Sequence, residues 1–403
     1  MTMPAPRVAL ALCACGALAL RAGHTPSRPA TRRAAAATAR APVELADCPL
    51  TQWGESIADV VAVQEAKRRE PYAPFVKELA PPAGSTAAEQ ADWLRDHKAE
   101  IDGYASSHGA VYLRGWDLVR DAEGFRDCYE ALGLTPCRDP LDAVSARPMV
   151  DKGSAVYEAV NKESRANFYI GMHNEFVGTR APRAAMFVCF RKADEGGEFL
   201  VADGRRVFRD LDSGLLARLY ERRIRYSVME LPFFSALDLL PEPARAPAAA
   251  FVKGAVSLAI NAKVDFDVTM DWLEGGAYDG DEKTLQARAP VQPPVVLHPR
   301  TGEPTWFCNV HSHSAALRKR RELTYGAERF TDGASRINKS DMYYGDDAAL
   351  SDADLDALDA LTREHTVELA MSPGDAVLVD NYQTMHGRNV FKGQRKHAVS
   401  WFS

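Results

Sequence analysis

His173 and Glu175 are separated by one residue. In extended backbone successive side chains alternate between faces, so this imidazole and this carboxylate would point the same way, with Asn174 opposite. Far along the chain, the run Gly374-Asp-Ala-Val-Leu-Val-Asp380-Asn381 reads as a strand leading toward His386, and Arg395 follows it. Two histidines and one carboxylate are the facial donor set of non-haem iron oxygenases: the protein fills three corners of an octahedron and leaves three for cosubstrate and dioxygen. The H-x-E spacing is weak by itself. A chain with 10 His offers such pairs by chance, and a hydrogen-bonded core or surface histidine fits the same pattern. His311-Ser-His313 has the same spacing, and here a buried or substrate-facing role is preferred to metal ligation. Residues 318–322, RKRRE, read as a solvated helix face.

The elements that must position these side chains are mostly short. Residues 85–108 read as helix, with Thr86 and Glu89 in capping-box spacing and Trp93, Leu94, Ile101 and Tyr104 at helical intervals. Residues 110–115 read as a buried strand and 123–132 as a helix stopped by Gly133. Short β-type runs recur at 184–190, 295–298, 305–310, 366–369, 376–380 and 397–402. Strands so short and so widely separated predict a jelly-roll sandwich or barrel, not a wound βαβ sheet. Residues 351–364, with Leu355, Leu358 and Leu361, predict an amphipathic surface helix. Between 231 and 281, Pro232, Pro241, Pro243, Pro247, Gly275, Gly276 and Gly280 suggest an inserted loop region, expected to serve as a lid over the metal.

Composition sets outer bounds. The 403 residues are 46% hydrophobic and 26% charged, globular usage that excludes collagen, coiled coil and wholesale disorder. The net charge of -6 argues against a polyanion-binding surface. That charge is uneven: residues 1–43 hold six arginines and no acid, so the body from Glu44 carries -12. Residues 8–20 form an apolar run too short to span a bilayer, and an Arg/Ala/Ser/Thr-rich tract follows. Residues 1–43 are therefore expected to be a disordered targeting presequence of the two-part plastid kind, with mitochondrial delivery or secretion as the alternatives. No membrane span is expected in the mature chain. Cys48, Cys128, Cys137, Cys189 and Cys308 lack any C-x-x-C pair and read as reduced thiols. A metal would have to come from His and carboxylates.

Three blocks in order carry a resemblance: "MHNEFVGTRAPRAAMFVCFRKADEGGEFLVADGRRVFRDL", "HPRTGEPTWFCNVHSHS" and "SPGDAVLVDNYQTMHGRNVFKGQRKHAVSWF". Together they resemble the taurine dioxygenase (TauD/TfdA) family, most closely its clavaminate synthase-like branch, which has H-x-E where taurine dioxygenase has H-x-D. The likeness runs from about Glu89 onward. It implies a mainly β fold with flanking helices, a double-stranded β-helix spanning one domain from 44 to 403. It also implies Fe(II), 2-oxoglutarate as cosubstrate, and dioxygen. His173, Glu175 and His386 match the family's iron ligands, and Arg395 matches the arginine that grips the distal carboxylate of 2-oxoglutarate, a planar guanidinium being able to take a carboxylate bidentately. Arg388 competes for that role, with a surface or substrate-side salt bridge as its plainer reading.

The activity implied is hydroxylation of an unactivated C–H bond in a small amino-acid-like or carboxylate substrate. A β-helix binding protein without turnover and a non-redox metal hydrolase are the alternatives. Glu175 argues against a halogenase, which needs that ligand position vacant. One departure stands out: where the family has Gly-Gly-(Asp/Glu)-Thr, this chain has Gly196-Gly197-Glu198-Phe199. A phenyl ring cannot donate the threonine's hydrogen bond to the cosubstrate, a loss worth about three- to tenfold in affinity.

Overall fold

The computed structural model describes residues 56–71, 73–138, 148–151, 156–159, 166, 169–176, 180–232, 237, 239–261, 269–273, 284–325 and 340–403. The expected presequence and Gly275, Gly276 and Gly280 of the insertion lie outside them.

Two sheets face each other. The larger runs, in spatial order, Lys77–Leu79, Ala110–Leu113, Asp375–Asp380, Ala184–Arg191, Lys396–Phe402, Val156–Glu158 and Met149–Asp151, with Pro136–Cys137 also paired to Lys396–Phe402. The smaller runs Thr366–Leu369, Phe199–Asp203, Thr384–Arg388 and Ile170–His173. Every pairing in the two is antiparallel except that of the first two strands of the larger sheet.

Alternation along Ala184–Arg191 shows how the layers stack. Ala185, Phe187 and Cys189 pack with Phe199, Val201 and Leu369 of the smaller sheet, together with Val377, Val379, Val399 and Trp401. Ala184, Met186 and Val188 turn the other way, onto Leu94, Ile101, Phe125 and Tyr129 of the helices Ala87–Asp96, Lys98–His108 and Ala122–Ala131. The smaller sheet does the same. Leu200, Ala202 and Met385 back onto Val207, Phe208, Leu215, Leu216 and Leu219 of the helices Gly204–Asp210 and Ser213–Arg222, and onto Leu355 and Leu358 of Asp352–Glu364. Helices thus cover the outer face of each sheet. This explains the near-continuous apolar run 184–189, since a strand covered on both faces needs no polar alternate. Each large side chain so buried contributes about 1.5–3 kcal/mol.

Local signals largely formed what they predicted. Thr86 and Glu89 close a capping box at the start of Ala87–Asp96. The expected single helix 85–108 is two helices, broken at His97, whose ring stacks on Trp93 at 3.9 Å. Ser351 caps Asp352–Glu364. The insertion differs from the expected loop. It contains the helix Glu242–Asn261 and the strand Thr269–Leu273, which forms one edge of a further four-stranded sheet ordered Thr269–Leu273, Thr284–Arg288, Ile224–Pro232, Asp341–Tyr344. The tract from Pro243 to Ala259 is rich in alanine, the best helix former, and Pro243 falls in the first turn, where a missing N–H costs nothing. Phe251 and Leu258 of that helix are exposed. No helix among the described residues is long and apolar enough to cross a membrane.

Candidate metal centre

His173 ends the strand Ile170–His173 and His386 sits at the middle of Thr384–Arg388. The register sets them directly opposite each other. Opposed residues of an antiparallel pair share a face with Cβ atoms about 5 Å apart, and the two imidazole centroids are 4.3 Å apart. Glu175, two residues past His173, brings Oε1 to 3.9 Å from His173 Nε2 and 3.5 Å from His386 Nε2. Side-chain exposure is 20% for His173 against 7% for Glu175 and 4% for His386, so the centre opens on the His173 side.

The backbone between the ligands is not strand, and two asparagines hold it. Asn309 Oδ1 accepts from Asn174 N at 2.8 Å while its Nδ2 donates to Asn174 O at 3.0 Å. Asn381 Oδ1 accepts from Glu175 N at 2.8 Å while its Nδ2 donates to Glu175 O at 2.7 Å and to Pro182 O at 2.8 Å. Each side-chain amide supplies one donor and one acceptor to a single residue's main chain, as a neighbouring strand would. Asn174 Nδ2 in turn donates to Asn381 O at 2.7 Å. The carboxylate is therefore placed by a buried amide lattice and not by the sheet ladder. Asn381 itself occupies the turn joining Asp375–Asp380 in one sheet to Thr384–Arg388 in the other. That turn is braced by Asp380, whose Oδ2 accepts from buried His298 Nε2 at 3.0 Å. His298 Nδ1 takes backbone N–H groups of Arg300 and Thr301, which leaves the proton on Nε2.

The histidines are held differently. His173 Nδ1 lies 2.8 Å from Gly171 O, a contact that needs the proton on Nδ1 and leaves the Nε2 lone pair for a metal. His386 Nδ1 is buried with no hydrogen bond among the described residues, and the ring is fixed by Phe187 at 4.7 Å and Phe199 at 6.0 Å. Gly171 is obligatory. A Cβ there would meet His311 O at 2.2 Å and an Arg321 nitrogen at 2.7 Å. Gly171→Ala is expected to destabilise the fold by about 1–3 kcal/mol and to weaken metal binding, because the strand that carries His173 must shift. Parallel thermal melts and metal titrations of the variant check this, and unchanged affinity would show that the strand tolerates the shift.

The donor set fits a metal after a small adjustment. Atoms each about 2.1 Å from one ion lie at most about 4.2 Å apart; Glu175 Oε1 is within that span of both imidazoles, and the 4.8 Å that bounds all the ligand atoms exceeds it by only a few tenths of an ångström. Two imidazoles and one carboxylate suit iron, and this is the one such cluster of three or more potential ligands among the described residues.

His311 and His313 are not a second pair. They lie on the helical turn Val310–His313, where period two does not put two side chains on one face. His311 Nε2 lies 2.8 Å from Thr362 Oγ1, and burial lowers its pKa despite Asp359. The His313 ring lies 4.8 Å from that of Tyr226, and burial, then Arg318, push it down to about 4. Arg318, on the following helix Ala315–Tyr325, donates to Ser312 O and His313 O of that turn, so part of the expected solvated run serves as a brace.

Arg395 is buried just ahead of Lys396–Phe402, its Nη1 donating to Ala159 O at 3.1 Å, and burial pushes its pKa down to about 10. Arg388 is not at the surface: it is 3% exposed. It follows His386 by two residues on one strand, so both side chains take the interior face. The sequence already names it as the competitor of Arg395. Asn309 and Asn381 had no such signal, since an asparagine beside a glycine-poor strand end has no distinctive spacing. Phe199 lies opposite Arg388, its ring 4.5 Å from Phe187.

The family model described as taurine catabolism dioxygenase TauD, TfdA family matches residues 69–401. The chain is 24% identical over 339 residues to the clavaminate synthase-like protein At3g21360 of Arabidopsis thaliana, covering 81% of this chain and 93% of that one. It is 23% identical over 307 residues to the dapdiamide synthesis protein DdaC of Enterobacter agglomerans, covering 74% and 84%. Among solved structures it is similar to PvcB of Pseudomonas aeruginosa, at 16% identity and a TM-score of 0.45 over 83% of this chain and 88% of that one. It is also similar to an asparagine oxygenase in complex with Fe(II), 2S,3S-3-hydroxyasparagine and succinate, at 14% identity and 0.43 over 85% and 90%. The family match takes in both facing sheets and all three metal-ligand candidates, and the chain belongs to the TauD/TfdA family of dioxygenases.

Proposed function

We propose that this protein is an Fe(II)- and 2-oxoglutarate-dependent oxygenase built on a double-stranded β-helix. The observation that carries the reading is the cross-strand pair His173–His386 with Glu175 Oε1 within 3.9 Å of both imidazoles. His173 Nε2, His386 Nε2 and a Glu175 oxygen would hold the metal. When bound, iron and 2-oxoglutarate couple loss of carbon dioxide from the oxo acid to dioxygen-driven oxidation of a C–H bond.

The chain's own residues supply position and exclusion. Asn309 and Asn381 fix the carboxylate, and the Gly171 carbonyl fixes the tautomer of His173. Phe187 and Phe199 pack against His386 and keep water from its buried side. Arg395 supplies positive charge for the distal carboxylate. The substrate, which we assign to small amino-acid-like or carboxylate molecules, approaches from the more exposed His173 side. Hydroxylation is the expected outcome.

The test is succinate formation by purified protein given Fe(II), ascorbate and 2-oxoglutarate under air. Succinate above a metal-free control is expected. Its absence, with no spectral change on adding 2-oxoglutarate to the iron-loaded protein, would leave a binding protein. Turnover with zinc and without dioxygen would indicate a hydrolase.

A further inference from the structure

Two buried arginines follow His386 in the chain. Arg388 is 3% exposed and Arg395 7%. Their guanidinium carbons lie 4.7 and 5.9 Å from the centroid of one ring, Phe391, so both border the same side chain. Gly197, at φ +77°, packs closely on Phe391: a Cβ there would come within 3.0 Å of Phe391 Cβ, and 3.5 Å, an ordinary contact, from Arg395 Cδ. His397, buried beside them, has its pKa held well below the usual range by burial and then by the positive charges of Arg395 and Arg388, so it stays neutral and adds no third cation.

The position of Arg388 relative to Phe199 has a direct chemical meaning. Phe199 and Arg388 are opposed in the register, so both side chains stand on the interior face that also carries His386. At the position where related chains place a hydroxyl donor, this chain has a ring that cannot donate, and its cross-strand neighbour is a guanidinium with five N–H groups. A guanidinium at the next strand repeat along from a metal ligand can reach the far end of a short diacid whose near end is at the metal. Two cations in a low-dielectric interior favour a doubly charged ligand over a singly charged one.

We propose that Arg388 and Arg395 act together as the anion-binding end of the cosubstrate pocket, Arg388 supplying the donor that Phe199 lacks. The inference rests on the oxygenase reading above. It makes this pocket a two-guanidinium site that is more selective for 2-oxo diacids than one built from an arginine and a hydroxyl.

The test measures binding, not turnover. Anaerobic, Mn(II)-loaded protein is titrated by calorimetry with 2-oxoglutarate and with 2-oxobutyrate, which keeps the chelating end but lacks the distal carboxylate. In Arg388→Gln the affinity for 2-oxoglutarate is expected to fall about ten- to a hundredfold, the range of a charged hydrogen bond, while 2-oxobutyrate changes by less than about threefold. Adding Phe199→Thr to Arg388→Gln is expected to restore about three- to tenfold by returning a neutral donor, and Phe199→Thr alone to gain less. If Arg388→Gln does not fold, as judged by its melt, Arg388→Lys reads the same selectivity with the charge kept. Unchanged 2-oxoglutarate affinity in the variant, or an equal loss for both oxo acids, would overturn the proposal and leave the oxygenase reading standing. Failure of the metal-loaded wild type to bind either oxo acid would overturn that reading itself.

Discussion

Glu175→Ala is expected to fold and to bind Fe(II) or Mn(II) at least about a hundredfold more weakly than the wild type, and to form no succinate. Disturbing a partner that only orients a metal ligand costs about ten- to a hundredfold in affinity, so removing the one anionic ligand must exceed that range. What remains is two imidazoles on adjacent strands, a neutral pair with no charge to offset the ion's. The fold itself loses little, because the asparagine lattice binds the main chain of residue 175 and not its carboxylate. The informative readout is the metal-induced rise in melting temperature. A ligand at a hundred times its dissociation constant stabilises the native state by about 2.7 kcal/mol, and this increment should vanish in the variant while the metal-free melt stays within a few degrees. Retention of the full increment would place the ion elsewhere.

Asn381→Ala is the reverse case, expected to damage fold and site together. The amide is buried and serves three main-chain groups, Glu175 N, Glu175 O and Pro182 O. Leaving a buried backbone group without a partner costs about 1–3 kcal/mol, so the variant should lose about 3–6 kcal/mol, a large part of the 5–15 kcal/mol typical of a domain. Metal affinity should fall about ten- to a hundredfold in the folded fraction, because the carboxylate's anchor is gone. Asn381→Asp keeps the acceptor for Glu175 N but loses both donors and buries a second charge beside Asp380, so it should fare no better. Urea unfolding combined with metal titration separates the two effects. A folded Asn381→Ala with wild-type affinity would mean that the carboxylate finds its place unaided.

Much of the architecture could be read from local pattern. The capping box at Thr86–Glu89 and the leucines of Asp352–Glu364 use interactions within a few residues, and these formed as expected. The ligand triad was legible because several matched blocks fell in order; the strand period behind H-x-E pointed to the right pair, although the strand ends at His173 and the asparagines place Glu175. Register was not legible. Nothing near residue 173 or 386 states that the two will face each other, because that depends on the order of strands in the smaller sheet. For His311 and His313 the preference for a buried role over ligation holds at His311, which is buried, while the period-two spacing lost its meaning because the backbone turns helical at Val310. In the insertion, prolines were read as breakers although the alanine content outweighed them over Glu242–Asn261. Asn309 and Asn381 exploit contacts over more than a hundred positions, invisible to any window.

The strand order also bears on how the chain reaches this state. Thr384–Arg388 lies between Phe199–Asp203 and Ile170–His173, and Asp375–Asp380 lies between Ala110–Leu113 and Ala184–Arg191. In both sheets a late segment is wedged between earlier ones. During synthesis the earlier strands wait with open hydrogen-bonding edges, a state prone to mispairing and aggregation until the last wedges arrive. Closing such long loops is slow, and the rate-limiting event is expected to be insertion of the segment that carries His386. A chain still being made therefore holds one imidazole and one carboxylate but no complete coordination set, and iron capture becomes a late checkpoint that only a correctly threaded molecule can pass.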